Sequence, residues 1–304
     1  TNGPYIPEVK PATGRKVAVV GGGPAGLSAA YYLAQEGHRV TIFDAGPELG
    51  GMLRYGIPEY RLPKELLDKE IATITALCAE VRLNVRLGRD FTIESLRKDG
   101  YDAVFIALGA QASQKMRVEG EELANVFPGI QFLRDVALHK RVEVGRRVIV
   151  VGGGNTAIDA ARTALRLGAS EVTIVYRRSR DEMPASDEEV KQAEQEGVRF
   201  HFLAAPVRLL GENDRVTSVE CIKMRLAEPD SSGRRRPLPV EGSEFTIETD
   251  TVIAAIGQVL DASAFGEDGQ MALNPKGCVQ VNEQTLETAV AGVFAGGDLS
   301  LIHI

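Results

Sequence analysis

The chain reads as an α/β protein made of two three-layer units, each a parallel sheet covered by helices. Three observations predict this. The stretch VAVVGGGPAGLSAA (17–30) passes from an apolar run through glycines into a helical pattern. VIVVGGGNTAIDAA (148–161) repeats the plan. The length of 304 residues suggests two domains.

Bulk composition narrows the class. A content of 44% hydrophobic and 25% charged residues is that of an ordinary globular protein. The net charge of -7 argues against a nucleic-acid partner, because a phosphate backbone is held by Lys and Arg. No apolar stretch is long enough to span a bilayer. The opening TNGPYIPEVKP is polar and proline-rich and predicts no signal peptide. Cys78, Cys221 and Cys278 lie far apart with no CxxC, so neither a redox dithiol nor a zinc knuckle is predicted. They read as buried thiols of a cytoplasmic protein, and no metal site is expected.

The first unit begins at KVAVV, a continuous apolar run expected of a parallel strand covered on both faces. Gly21, Gly23 and Gly26 follow with G-x-G-x-x-G spacing. The first allows the tight turn, the second lets backbone approach a pyrophosphate, and the third lets helix pack close to strand. Free N–H groups at the helix N-terminus then meet the phosphates. The next strand, RVTIFD, ends in Asp44, 18 residues past Gly26, where an acid accepts hydrogen bonds from an adenosine ribose.

The second unit is RRVIVVGGGNTAIDAARTALRLGASEVTIVYRRSR. Gly152 and Gly154 match the first two glycines, and Ala157 stands at the third. No acid ends the next strand; Arg177, Arg178 and Arg180 stand there instead. An acid would repel a 2′-phosphate, whereas arginine forks clasp one. The second unit is therefore read as a site for NADP(H). Two dinucleotides in one chain suggest FAD and NADPH, with hydride passing between them.

At this point the sequence resembles the flavin-containing electron-transfer family of the glutamate synthase small subunit. That family includes the flavin part of dihydropyrimidine dehydrogenase and the large subunit of NADH-dependent ferredoxin–NADP oxidoreductase. The resemblance runs from about Pro4 to Asp298. GGMLRYGIPEYRLPKELLDKEI (50–71) is its most specific stretch, supported by VYRRSRDEMPA, DTVIAAIGQ (250–258) and GVFAGGD (292–298).

The resemblance implies two Rossmann-like domains, with the NADP domain inserted into the FAD domain. The expected boundaries are a linker at 1–14, an FAD domain at 15–110 and 259–298, and an NADP(H) domain at 111–258. RFHFLAAPVRLL and VTSVECIKMRL are read as strands of the latter, and AEPDSSGRRRPLPVEGS as a hairpin tip or loop whose Arg234, Arg235 and Arg236 are solvated rather than part of a site.

Residue by residue, it implies that Gly21, Gly23, Pro24, Ala25 and Gly26 line the FAD pyrophosphate, that Asp44 holds the ribose, and that Gly51, Met52 and Leu53 lie along the flavin. Arg54 and Arg61 are placed near the cofactor, and Asp298 at the ribityl chain. Gly152, Gly154, Asn155 and Thr156 take the NADPH pyrophosphate, and Arg177 and Arg178 the 2′-phosphate. Gly109, Gly257 and Gly297 complete the cofactor-binding set. The EMPA segment, Glu182 to Ala185, has no assigned chemistry; it reads as a loop leading into a helix capped by Ser186, with Glu188 and Glu189 in the first turn.

Two departures from the family stand out. Relatives carry a cysteine-rich region for iron–sulfur clusters ahead of this module, and such ligation needs grouped cysteines that this sequence lacks. After AGGD, relatives continue with a loop and a helix whose N-terminal dipole faces the flavin. Here LSLIHI (299–304) follows. It resembles a translated sequencing adapter, so an artefactual tail is expected, and His303 is not read as catalytic.

The expected function is that of an NADPH-dependent FAD oxidoreductase, glutamate synthase small-chain-like. It would pass hydride from NADPH to FAD, then electrons to iron–sulfur clusters of a partner domain or large catalytic subunit. No acid–base residue is assigned, since the cofactors carry the chemistry. The alternatives are a stand-alone NADPH reductase of a quinone or ferric ion, and a non-catalytic nucleotide-binding fragment. A disulfide reductase is disfavoured for want of a reactive cysteine pair.

Overall fold

A computed structural model describes residues 7–229, 235–265, 271–275 and 277–300. Two compact units emerge: one holds the chain through Ala112 and again from Val259, the other Ser113–Gln258.

In the first unit the chain runs through β1 (Lys16–Val20), α1 (Pro24–Gln35), β2 (Arg39–Phe43), the single turn α2 (Met52–Tyr55), α3 (Lys64–Thr75), β3 (Glu80–Arg82), α4 (Ile93–Lys98) and β4 (Ala103–Ile106). After β5 (Ala112–Ser113), at the boundary, the second unit follows with β6 (Val126–Pro128), α5 (Gly129–Ala137), β7 (Arg147–Val151), α6 (Asn155–Arg166), β8 (Glu171–Tyr176), α7 (Asp187–Gln195) and β9 (Arg199–Phe202). Three longer strands, β10 (Ala204–Glu212), β11 (Arg215–Pro229) and β12 (Arg235–Glu248), precede β13 (Thr251–Ala254) and β14 (Gln258–Val259). The last strand, β15 (Val293–Ala295), returns to the first unit.

The first sheet has the order β15-β4-β1-β2-β3 and is parallel throughout. Residues of β1 alternate between its faces, as strand geometry requires. Ala18 and Val20 pack with Val104, Ile106 and Phe43 on one side; Val19 packs with Val40, Ile42 and Leu27 of α1 on the other. Both faces are thus covered, which accounts for the unbroken apolar run. Ile42 and Val40 are fully buried, each burial contributing about 1.5–3 kcal/mol.

The second sheet repeats the plan as β6-β13-β7-β8-β9, with β7 between β8 and β13. In each sheet the strand before the glycines is flanked by its immediate successor and by a strand from later in the chain. That is a topological switch point, where open α/β sheets leave a crevice at the carboxyl ends of their strands.

Two sequence expectations are corrected by the fold. RFHFLAAPVRLL is not one strand. Leu203, at φ +53°, breaks it into β9 of the parallel sheet and β10 of a separate antiparallel sheet, β10-β11-β12. The hairpin tip is also shorter than its composition suggested, because β11 runs to Pro229 and β12 starts at Arg235. Arg234 lies outside the described residues, as does His303. Ser300 and Leu299 are buried, and Leu299 packs in the core with Val279 and Val293.

Candidate functional site

The first glycine loop leaves β1 with Gly21 at φ +111°. A β carbon there would lie 2.3 Å from the Ala107 carbonyl oxygen, and one at Gly26 would lie 1.8 Å from that of Gly21. The fold itself demands these two glycines. Gly23 differs: its φ is −80°, and an added β carbon would find only the Gly51 Cα, at 3.7 Å. Nothing in the protein's own packing requires glycine at Gly23, so the space before it is open to a ligand.

Helix α1 starts there with Pro24 in its first turn, no side-chain cap and no acidic residue. Its first N–H groups have no intrahelical partner. Helix α4 is capped by Thr92 and α7 by Ser186, whereas α3 and α5, like α1, start without a side-chain cap. Ser186 with Glu188 and Glu189 in the first turn matches the sequence reading.

Around this loop the predicted residues divide. Asp44 accepts hydrogen bonds from the backbone N–H of Gly22 and of Gly46, both at 2.6 Å. It therefore ties the glycine loop to the strand end, and a carboxylate oxygen can accept more than one such bond. Gly50 donates to the Gly22 carbonyl at 2.7 Å, and Gly51, at φ +52°, would place a β carbon 2.8 Å from Gly23 Cα. Met52 and Leu53 follow in α2, so this segment is bound to the loop. Gly297, at φ +73°, would place a β carbon 2.8 Å from that of Ala25, which sets the exposed Asp298 beside the first turn of α1.

Arg54 is buried and engaged by the protein: Nε donates to the Leu49 carbonyl at 2.6 Å, and the guanidinium pairs with Asp68 and Glu48. It braces the stretch between α2 and α3. Arg61 is half-buried in the turn after Pro58, whose carbonyl accepts its backbone N–H at 3.0 Å. Gly109 has φ +66°, and a β carbon there would have open space for 4 Å around it.

The second loop repeats the division. Gly152, at φ +142°, would place a β carbon 2.1 Å from the Ala255 carbonyl oxygen. Gly154 has φ −91°, and its nearest neighbour would be Pro184 Cγ at 3.9 Å. Helix α6 again begins without a side-chain cap or a first-turn acid. A cavity of about 630 Å³ opens in front of it, lined by Gly152, Gly154, Thr156, Arg177, Arg178 and Gly257 among others. Arg177 is exposed and has no ion pair among the described residues. The Nε of Arg178 is buried without a hydrogen-bond partner. Arg180 instead pairs with Glu194 of α7 and is not on the cavity wall.

Sequence reasoning gave four residues no role at this loop: Tyr176, Pro184, Ala185 and Ser186. The Tyr176 ring lies under Gly153, where a β carbon would be 2.5 Å from it. Pro184 lines the cavity. Ala185 donates to the Gly153 carbonyl at 3.2 Å, and the Ser186 N–H donates to Asn155 Oδ1 at 3.3 Å. The EMPA segment thus packs against the glycine loop, and its position in the sequence gave no local sign of this. Arg235 is also not a free solvated residue: it pairs with Glu182.

Burial pushes the Cys78 thiol up to about 11 and the Cys221 thiol up to about 12, so neither is poised as a thiolate. Among the described residues, no cluster of His, Cys, Asp and Glu could hold a metal, and no helix is long and apolar enough to cross a membrane.

The family model described as pyridine nucleotide-disulphide oxidoreductase matches residues 15–302. The NADP(+)-dependent formate dehydrogenase subunit beta of Moorella thermoacetica is 52% identical over 292 residues, covering 95% of this chain and 41% of that protein. The glutamate synthase [NADPH] small chain of Halomonas elongata is 39% identical over 301 residues, covering 94% and 63%. The chain spans about half the length of these relatives. FprA from Mycobacterium tuberculosis, solved in complex with NADPH, shares the fold with a TM-score of 0.80 at 19% identity, over 96% of this chain and 79% of that one. The resemblance carried by the sequence motifs holds, and the chain belongs to the pyridine nucleotide-disulphide oxidoreductase family.

Proposed function

We propose that this chain is the NADPH- and FAD-binding electron-transfer module of a larger oxidoreductase. FAD and NADPH are the cofactors of the family, and the residues present fit them. The observation that carries the reading is the asymmetry between two otherwise matched loops. Each presents an uncapped helix N-terminus behind a glycine whose β-carbon position is open. One is followed by Asp44, the other by Arg177 and Arg178.

In the first unit, Gly23, Ala25 and Gly26 would hold the FAD pyrophosphate against the N-terminus of α1, where N–H groups and the helix dipole favour an anion. Asp44 would accept from the ribose hydroxyls. Gly51, Met52 and Leu53 would line the flavin, and Asp298 would meet the ribityl chain. In the second unit, Gly154, Asn155 and Thr156 would hold the NADPH pyrophosphate. Arg177 and the unsatisfied Nε of Arg178 would donate to the 2′-phosphate. Once bound, the pair of cofactors supplies two-electron hydride transfer on one side and single-electron release on the other. The chain's residues need only bind and orient, in keeping with the absence of an assigned acid–base side chain.

The proposed acceptor is an iron–sulfur domain or a large catalytic subunit. Glutamate synthesis is one activity carried by relatives of this module; a formate dehydrogenase beta subunit carries another. Cys78 and Cys221 carry thiols rather than a disulfide, which suits a reducing compartment, and the proposal sets the protein in the cytoplasm.

Reconstitution tests this reading. The full chain incubated with FAD and desalted is expected to retain one flavin per chain, and D44A markedly less. A chain that retains none, or a D44A variant that retains as much as the wild type, contradicts it.

A further inference from the structure

Glu182 is not on the cavity wall, yet it meets the arginine turn at three points. Its carboxylate accepts from the backbone N–H of Ser179 at 3.1 Å and from the Ser179 hydroxyl. Its carbonyl accepts from the Tyr176 hydroxyl at 2.8 Å. Tyr176 and Ser179 are the residues on either side of Arg177 and Arg178. Glu182 therefore closes the turn at both ends, and Leu203 N–H holds it in the middle through the Arg178 carbonyl at 3.0 Å.

The carboxylate is itself held from outside the turn. Arg235, the first described residue of β12, pairs with it. These contacts keep the Glu182 carboxyl below the usual carboxylate range. The pairing also settles an electrostatic conflict. An anionic side chain this close to a phosphate-binding turn would repel the phosphate, and a guanidinium beside it offsets that charge.

We propose that Glu182 is a positioning residue for selectivity towards the 2′-phosphate: it fixes the turn carrying Arg177 and Arg178, and Arg235 on the β11–β12 hairpin holds it in place and balances its charge. This inference rests on the reading of the second unit as an NADPH site. The hairpin is then part of the nucleotide site without touching the nucleotide.

Titration calorimetry of the full chain with 2′,5′-ADP and with 5′-AMP tests it. The wild type is expected to prefer 2′,5′-ADP. E182A should weaken 2′,5′-ADP about tenfold and leave 5′-AMP within about twofold, the size of a lost charge-assisted hydrogen bond at the phosphate. E182Q keeps an acceptor for Ser179 and should recover most of the loss. R235A should weaken 2′,5′-ADP about threefold, with 5′-AMP again unaffected. Should E182A fail to fold, E182Q and R235A carry the test between them, since R235A removes no contact within the turn. Parallel weakening of both ligands, or an unchanged ratio in E182A and R235A beside a discriminating wild type, overturns the role of Glu182 alone. A wild type that binds the two ligands equally overturns the NADPH reading, and this inference with it.

Discussion

Gly21 and Gly23 are two residues apart and answer to different constraints. Gly21 has a positive φ and a carbonyl oxygen where its β carbon would be, so G21A should cost several kcal/mol, on the order of 3. Gly23 has neither restriction. G23A should leave stability within about 1 kcal/mol while FAD binding weakens at least about tenfold, because the methyl group would occupy the space left for the pyrophosphate. Thermal melts and flavin binding on the two variants separate the effects; a G23A chain that binds FAD normally would contradict the assignment of the loop. The glycine spacing and Asp44 were legible in the sequence because they lie within one strand–turn–helix–strand unit. The engagement of Arg54 by Asp68 and Glu48, and of Glu182 by Arg235 across 53 positions, was not. Such pairs depend on how distant elements meet, and no local spacing encodes that.

Helices α6 and α7 show how elements are tied together. Arg162 of α6 is buried, and with Arg166 it grips Glu196 at the end of α7 through bonds of 2.7–3.1 Å. The hydrogen bonds from Arg166 and then Arg162 hold the Glu196 carboxyl down at about 2. A carboxyl depressed in the folded state contributes stability above its unfolded value and loses it as pH falls towards the folded one. After discounting for solvent screening, E196Q should destabilise the chain by about 1–2 kcal/mol at pH 7. That gap should close as the pH falls from about 5 towards 2. Urea titrations of both chains across this range check it, and a gap independent of pH would show that the clasp acts by packing alone. The helices and parallel strands of both units followed from apolar runs and glycine punctuation. The break at Leu203 did not, because RFHF and AAPVRLL both read as strand and only the backbone's turn at a positive φ separates two sheets.

The whole molecule is one plan used twice, with the second copy contained between the two segments of the first. Its two glycine loops differ in the residues just past the second strand of each plan: a carboxylate in one, two arginines in the other. Two dinucleotides of different kind are therefore expected in one chain, and R177A and R178A should each weaken NADPH about tenfold while leaving NADH unchanged. The most direct measurement is an anaerobic titration of the FAD-reconstituted chain with NADPH and with NADH, followed by the flavin absorbance. Bleaching at much lower NADPH than NADH is the predicted result. Equal bleaching by both would contradict the role of the arginine pair, and a flavin that NADPH does not reduce would contradict the electron-transfer reading itself.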